Sequence, residues 1–435
     1  MTVYIDPIVY FFIAVLLYYL CLFILSKRDP NHRISNTDEW GYAIFIPIHN
    51  EEKVIGPTIK RALNLPEKPQ VIVVDDGSTD STKQILENYS DVSDYRLHIV
   101  TRSYPNAKLG KGEALNAAYR CFCANLNKWF PNKSPDKIIV SVLDADGYLD
   151  DYQFEYIADM LEARSELGGI QIPVTIQNPD KSMLLRMQDL EFVGFSCFVQ
   201  QARHWFSSLG LGGNGQFIRF SSLLKLGDNP WNSALSEDLD IGIRLLLRGV
   251  KLGYCNFGFV HQQGLTRIKP LLKQRTRWIQ GHYQAWRYLP PIWKSKLPFF
   301  TKLDLTLYLT LVASIMLILV NNLLNIMALV GLFQLRSAFF ESASTISPIL
   351  SRALLVLLSI GTAIFFAATY NKYSKNKIPE SSWPVIIVIF SVYGWIWVYA
   401  SLSALIRLMR GQNGWVKTER IGEDYFAPEL IQKAL

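Results

Sequence analysis

The placement of uncharged apolar runs constrains this chain more than any other feature. Residues 7–25 (PIVYFFIAVLLYYLCLFIL) carry no charge and match the roughly 20 residues an α-helix needs to cross a bilayer. Lys27, Arg28 and Arg33 follow, while only Asp6 precedes. The positive-inside bias then puts the following segment in the cytoplasm and the N-terminus outside. A cleaved signal peptide would carry a basic n-region and a small-residue cleavage site; neither is visible, so the run reads as an anchor. Apolar runs return after Pro290–Pro291, at 303–333, 349–370 and 384–409. The stretch 279–293 (IQGHYQAWRYLPPIW) is rich in Trp, Tyr and His, the composition of a helix lying in the membrane interface.

The chain therefore divides into an anchor (7–26), a cytoplasmic domain (38–278), interfacial helices (279–300), a C-terminal membrane block (303–409) and a tail (410–435). A multi-pass protein of the plasma membrane, its large domain in the cytoplasm, is the expectation. Charge supports it: 19% of the residues are charged, against about 25% in a soluble domain. Two arguments disagree about the tail. Three C-terminal spans leave it outside, whereas Arg407, Arg410, Lys417 and Arg420 favour the cytoplasm. Asn321–Asn322 divides the first run into halves of about 15 residues, each short of a span. Five scattered cysteines without a CxxC spacing argue for reduced thiols and against a structural zinc. The net charge of +7 suits anionic lipid or an anionic substrate as well as nucleic acid. No basic block interleaved with aromatics lies outside the membrane-adjacent segments, so nucleic acid is not an expected partner.

Within 38–289 the pattern is mixed. Apolar runs at 42–48, 71–74, 97–100, 138–143 and 169–176 alternate with helical-period stretches at 54–64, 79–89, 112–130 and 152–166. This alternation predicts a mostly parallel sheet covered on both faces. A long amphipathic helix is expected over 182–206.

Three acidic clusters fall at predicted strand ends or helix starts. Asp75–Asp76–Gly77–Ser78 follows the second strand, and ligands of open α/β sheets bind beyond the carboxyl ends of strands. The same residues also suit a strand-to-helix turn closed on its own backbone. Asp144 and Asp146 follow the 138–143 strand; residues i and i+2 of an extended chain point to one side, so both carboxylates could share Mg²⁺ or Mn²⁺ bridging a diphosphate. Ser236–Glu237–Asp238–Leu239–Asp240 opens a predicted helix, where acidic residues meet the dipole or one carboxylate acts as a general base. Gln274–Arg275–Thr276–Arg277–Trp278 precedes the interfacial stretch and on its own reads as a basic membrane-surface helix. Gly110–Lys111–Gly112 opens a helix where backbone N–H groups and Lys111 could meet phosphate; residues 212–217 with Arg219 could let backbone approach a sugar, or make a tight turn. Neither GxGxxG after the first strand nor GxxxxGK[ST] occurs, which removes nicotinamide and P-loop chemistry. The six His form no HExxH pair, so a catalytic zinc is not expected.

In their order and spacing these segments resemble the membrane-integrated branch of glycosyltransferase family 2, which includes cellulose, hyaluronan, chitin-oligosaccharide and poly-N-acetylglucosamine synthases. The matched pattern is P-x-x-N-E (Pro47, Asn50, Glu51), DDGS, KGxALN, DAD, ED and QxxRW, over about 42–278. The resemblance implies an α/β GT-A glycosyltransferase domain plus α-helical transmembrane segments, and inverting transfer from a UDP-sugar. By that analogy Asp75 and Asp76 hold the nucleobase and ribose, with Lys111 near the nucleotide; Asp144 and Asp146 bind the diphosphate and its Mg²⁺ or Mn²⁺; Asp238 is the general base. Glu237, Gln274, Arg277 and Trp278 meet the acceptor or product, Arg277 also lying near the leaving diphosphate. Trp415, Lys417, Thr418 and Arg420 resemble a variant of the gating loop that closes over the nucleotide in these synthases.

The expected activity is processive extension of a β-linked polysaccharide, with secretion subunits or a homo-oligomer as further partners. The same chemistry on a membrane lipid would make a glycolipid, which an active site against the interfacial stretch would suit. An inactive membrane scaffold is the reading of a different class, and the presence of all three acidic clusters speaks against it.

Overall fold

The structure, a computed structural model, describes residues 7–27, 39–91, 95–310, 313 and 346–412. The apolar N-terminal run forms a helix, α1 (Pro7–Ser26). The domain then opens with β1 (Gly41–Ile48), α2 (Ile55–Leu63), β2 (Gln70–Asp75), α3 (Thr82–Asp91), β3 (Leu97–Thr101), α4 (Lys111–Trp129) and β4 (Ile138–Val142). These four strands lie parallel in the order β3-β2-β1-β4, and their connecting helices sit where the alternation of runs predicts them. Pro47 stands in central β1 without cost to the ladder. Pairing with β4 ends at Phe45, so the missing N–H of Pro47 faces no partner strand.

Beyond β4 the sheet becomes mixed. After β5 (Tyr148–Leu149) and α5 (Gln153–Ala163) come β6 (Leu167–Gln171) and β7 (Val174–Ile176); then α6 (Met183–Gly194), a π-helical turn (Phe195–Gln200) and α7 (Gln201–Trp205). The chain continues through β8 (Gln216–Arg219), α8 (Phe220–Leu224), α9 (Glu237–Leu247), β9 (Lys251–Tyr254) and β10 (Val260–Gln262). β8 runs antiparallel between β4 and β6, and β9 closes the seven-stranded sheet; β5, β10 and β7 form a smaller one. The apolar run at 169–176 is thus two strands in different sheets, divided at Pro173, which cannot donate to a ladder.

α10 (Ile268–Ala285) carries both the QxxRW residues and the start of the interfacial stretch on one continuous helix. Then follow α11 (Leu289–Lys294), α12 (299–310), α13 (Ile346–Tyr373), α14 (Trp383–Tyr393) and α15 (Trp395–Met409). Among the described residues, one helical stretch, Glu380–Met409, is long and apolar enough to cross a membrane. Most of the 303–333 run, and the segment holding Trp415, Lys417, Thr418 and Arg420, lie outside the described residues.

Buried polar bonds tie the apolar helices to the domain. Arg203 on α7 is fully buried and pairs with Asp304 on α12 at 2.8 Å, its guanidinium 3.7 Å above the Tyr308 ring. Asp304 also accepts from Tyr18 of α1 (2.7 Å) and from Ser208 (2.6 Å). Removing one partner of such a pair leaves a buried charge without compensation, so Asp304→Ala is expected to cost about 3–5 kcal/mol. Thermal unfolding of the purified variant checks this, with Asp304→Asn, which leaves the Arg203 charge equally uncompensated, losing a comparable amount.

Candidate active site

The acidic clusters converge because β2, β1 and β4 are neighbours in one sheet and end at the same edge. At the end of β2, Asp75 accepts the Ser78 N–H at 3.0 Å and so closes its own turn. Asn50 bridges from the β1 end: its N–H donates to Ser78 Oγ (2.8 Å) and its Oδ1 accepts the Thr79 N–H (2.7 Å). Asp76 is buried and takes Arg102 at 2.6 Å and the Lys108 N–H at 3.1 Å. Burial pushes the Asp76 carboxyl above its ordinary range, outweighing the Lys108 N–H and the Arg102 charge that pull it down.

At the end of β4 the two DAD carboxylates part company. Asp144 faces outward to Lys111, 2.6 Å away, while Asp146 is buried and its Oδ2 accepts the Gln263 N–H at 3.0 Å. Lys111, the first residue of α4, is the hub of the site. Its ammonium also pairs with Glu237 at 3.1 Å and donates to the Gly213 carbonyl at 3.1 Å. Burial alone would lower its pKa, but Asp144, Glu237 and Asp238 hold it above the ordinary lysine range. Asp238, in the first turn of α9, accepts the Leu239 N–H at 2.8 Å. Burial, and next the Glu237 charge, push Asp238 up to about 7, with Lys111 opposing. That range suits a general base at neutral pH.

Glycine at 213 lets the loop close over this cluster. A Cβ there would stand 3.1 Å from Lys111 Nζ and 3.3 Å from Asp238 Oδ2. The loop is pinned by Gln171, which accepts the Gly212 N–H (2.7 Å) and donates to the Asn214 carbonyl (2.9 Å), and by Asn214, which accepts the Asp144 N–H (3.2 Å). Gly213→Ala is expected to lower kcat about ten- to a hundredfold through sub-ångström displacement of these groups, with a melting temperature close to wild type. A kcat within twofold of wild type would count against the close packing.

The QxxRW residues are arranged around one the motif does not name. Arg275 is fully buried and forks onto Glu191 of α6 (2.7 Å for Nη2), takes Gln274 Oε1 (2.5 Å) and lies 4.2 Å from the Trp278 ring centroid. Trp278 meets Phe192 edge-on at 5.8 Å, and Arg277 is half-buried. Arg102 and Gln171 escape sequence reasoning, and the 212–217 and 274–278 segments give no sign of the distant partners that Asn214 and Arg275 bind. The 212–217 segment proves to be loop followed by a buried strand, and Arg219 caps the carbonyls of Leu161 and Leu167 well inside the fold.

The donors available to a divalent ion are few. Among the described residues no group of three His, Cys, Asp or Glu side chains is placed to hold a metal ion. Asp144 offers an accessible carboxylate at a strand end, which fits an ion such as Mg²⁺ that takes one or two protein carboxylates and completes its shell with phosphate and water.

Comparison with known proteins gives the family and the fold. Residues 139–370 match the family described as "Glycosyl transferase family group 2", and residues 43–226 match "Glycosyl transferase family 2". A probable glycosyltransferase, YdaM, of Bacillus subtilis is 25% identical over 92% of this chain and 91% of its own. A beta-monoglucosyldiacylglycerol synthase of Synechocystis is 30% identical over 59% of this chain, which spans about half (52%) of that relative. The fold is that of a solved mannosyltransferase, PcManGT of Pyrobaculum calidifontis, in complex with GDP-Man and Mn²⁺: TM-score 0.54 at 15% identity, covering 93% of this chain and 99% of that one. With a GT-A-like domain whose acidic clusters meet at one sheet edge, the chain belongs to glycosyltransferase family 2 and is a glycosyltransferase.

Proposed function

We propose that this enzyme transfers a sugar from a nucleoside diphosphate sugar to a hydroxyl of an acceptor presented at a membrane surface, by a single in-line displacement that inverts the anomeric carbon. The observation that carries the reading is one ammonium, Lys111, paired with both the β4-end carboxylate Asp144 and the α9 carboxylate Glu237, with Asp238 beside them. Donor and acceptor sides of a displacement would thus meet at one point.

Asp75, Asp76 and Asn50 would line the nucleoside end of the donor, and Lys111 would turn toward its diphosphate. Asp238 takes the proton from the acceptor hydroxyl as the oxygen bonds to C1. The C1–O bond to the diphosphate breaks, and its electron pair leaves with the phosphate oxygen. Because charge builds on that oxygen in the transition state, Lys111 stabilises it more than it stabilises the bound donor. Mg²⁺ or Mn²⁺, held by Asp144 and the diphosphate, would supply further neutralisation of the leaving group. Asp146, turned to the Gln263 N–H, would position the Asp144 turn from beneath.

A lipid acceptor is favoured by the aromatic segment after α10. Trp286, Trp293, Phe299 and Phe300 are exposed there, beside the domain, in a composition suited to the bilayer interface. The printed activity of the Synechocystis relative points the same way. A second reading, extension of a β-linked polysaccharide, is supported by the QxxRW helix α10 lying along α15: Gln280 bonds Arg407 (2.8 Å) and the Gln412 carbonyl (2.6 Å). The test incubates membranes carrying the protein with a panel of radiolabelled nucleoside diphosphate sugars and Mn²⁺, then partitions the product. Label in the organic phase supports the lipid acceptor; high-molecular-weight material digestible by a glycanase supports the polymer; no transfer from any donor overturns both.

A further inference from the structure

A cavity of about 810 Å³ lies between α4, the loop leading into α9 and the turn after α10. Its walls include Glu113 and Arg120 of α4, Asn229 and Asn232 of the loop, and Gln284 and Tyr288. Glu113 and Arg120 are seven residues apart on one face of the helix, so the cavity extends about 10 Å along α4 from its catalytic end. Asn232 fixes that end. Its carbonyl oxygen stands 2.2 Å from where a Cβ on Gly112 would be, directly beside Lys111, and its amide donates to Asp240 in the first turn of α9 at 3.0 Å. Tyr288 also donates to Asp240, at 2.6 Å, and Gln284 accepts the Leu235 N–H at 3.4 Å. Asn232 and Tyr288 therefore both line the cavity and hold the first turn of the base-bearing helix.

The chemistry of the lining selects the occupant. A phosphate group accepts hydrogen bonds only and is repelled by the Glu113 carboxylate. A sugar hydroxyl both donates and accepts, and a wall of side-chain amides, a carboxylate, two guanidiniums, a phenol and the Trp231 indole satisfies such groups in turn; of the guanidiniums, Arg287 is already paired with Asp240. Arg120 bonds only the neutral Asn229 amide, at 2.5 Å, and Glu113 only the Asn116 amide, at 3.3 Å, so among the described residues both charged groups keep capacity for a ligand. We infer that this cavity binds the saccharide portion of the acceptor, so that the enzyme adds its sugar to an acceptor that already carries one. The inference rests on the glycosyltransferase reading above and narrows it. A glycolipid headgroup and the end of a glycan share this chemistry.

The experiment offers wild-type membranes, with a labelled donor that supports transfer, four probes: cellobiose and chitobiose in solution, and octyl β-glucoside and dioleoylglycerol in phosphatidylcholine vesicles. Transfer to octyl β-glucoside alone assigns a lipid-borne saccharide, and transfer to the soluble disaccharides assigns a glycan end. In either case Arg120→Ala and Glu113→Gln should each raise the KM for the sugar probe at least about tenfold while the donor KM stays within about twofold. Transfer to dioleoylglycerol and to no sugar probe overturns the saccharide cavity and leaves the glycosyltransferase reading intact. So does transfer to a sugar probe with unchanged KM in both variants. Failure of Asp238→Asn to lower transfer would instead strike the mechanism and not the cavity.

Discussion

Replacing Asp238 by Asn is expected to lower kcat for sugar transfer by about 10²–10⁴, the usual contribution of a positioned general base, while the donor KM changes by less than about twofold. Asn keeps the shape of the side chain and the acceptor for the Leu239 N–H, so the first turn of α9 should stay as it is. What is lost is the ability to take a proton. Glu237 is the competing candidate, being the adjacent carboxylate and nearly fully buried. It is paired with Lys111 at 3.1 Å, whereas burial and the Glu237 charge push Asp238 above the ordinary aspartate range. Glu237→Gln should therefore reduce turnover less than Asp238→Asn. Steady-state kinetics on both variants decides the assignment, and the reverse order would move the base to Glu237.

The second large effect is expected at Lys111. Lys111→Met retains most of the stem and removes the charge that Asp144, Glu237 and Asp238 share. Transfer should fall by at least about 100-fold, the cost typical of deleting one group aimed at developing charge. A shift in the pH profile should accompany it. Lys111 lowers the pKa of Asp238, so its loss raises that pKa further above the ordinary aspartate value. The base is active when deprotonated, so kcat/KM rises with pH through the Asp238 pKa. The acid limb of the variant should accordingly lie at higher pH than that of the wild type. An unmoved or lowered limb would show that Lys111 and Asp238 are not electrostatically coupled.

Much of this site was legible because its parts are local. The β1-to-β4 half follows from apolar runs of strand length alternating with helical ones, and in such a sheet the acidic turns after β2 and β4 have to emerge at one edge. The ED pair lies where a first-turn acidic cluster predicts it, and Lys111 at the start of its helix. What the sequence hides is long-range. Strand β8 is four residues long, reverses direction, and has no periodicity to announce it. Asp144 and Asp146 share a side by strand geometry, but the chain turns after Val142, and the carboxylates face different partners 33 and 117 residues away. Gln274 and Trp278 are read from their motif as acceptor contacts; what the motif does not show is that both also pack on Arg275, whose carboxylate partner Glu191 lies 84 residues earlier. Only tertiary packing shows that Gly213 matters for how little room it leaves.

The most direct test of the central claim is the pH dependence of kcat/KM for transfer from a labelled nucleoside diphosphate sugar, measured on membranes with wild-type enzyme and with Asp238→Asn side by side. Wild-type activity should rise through a single ionisation at about 7, and the variant should lack both that limb and nearly all of the activity. A variant that still transfers at a rate near wild type, or a wild-type profile flat through neutrality, would contradict the assignment of Asp238 as the base.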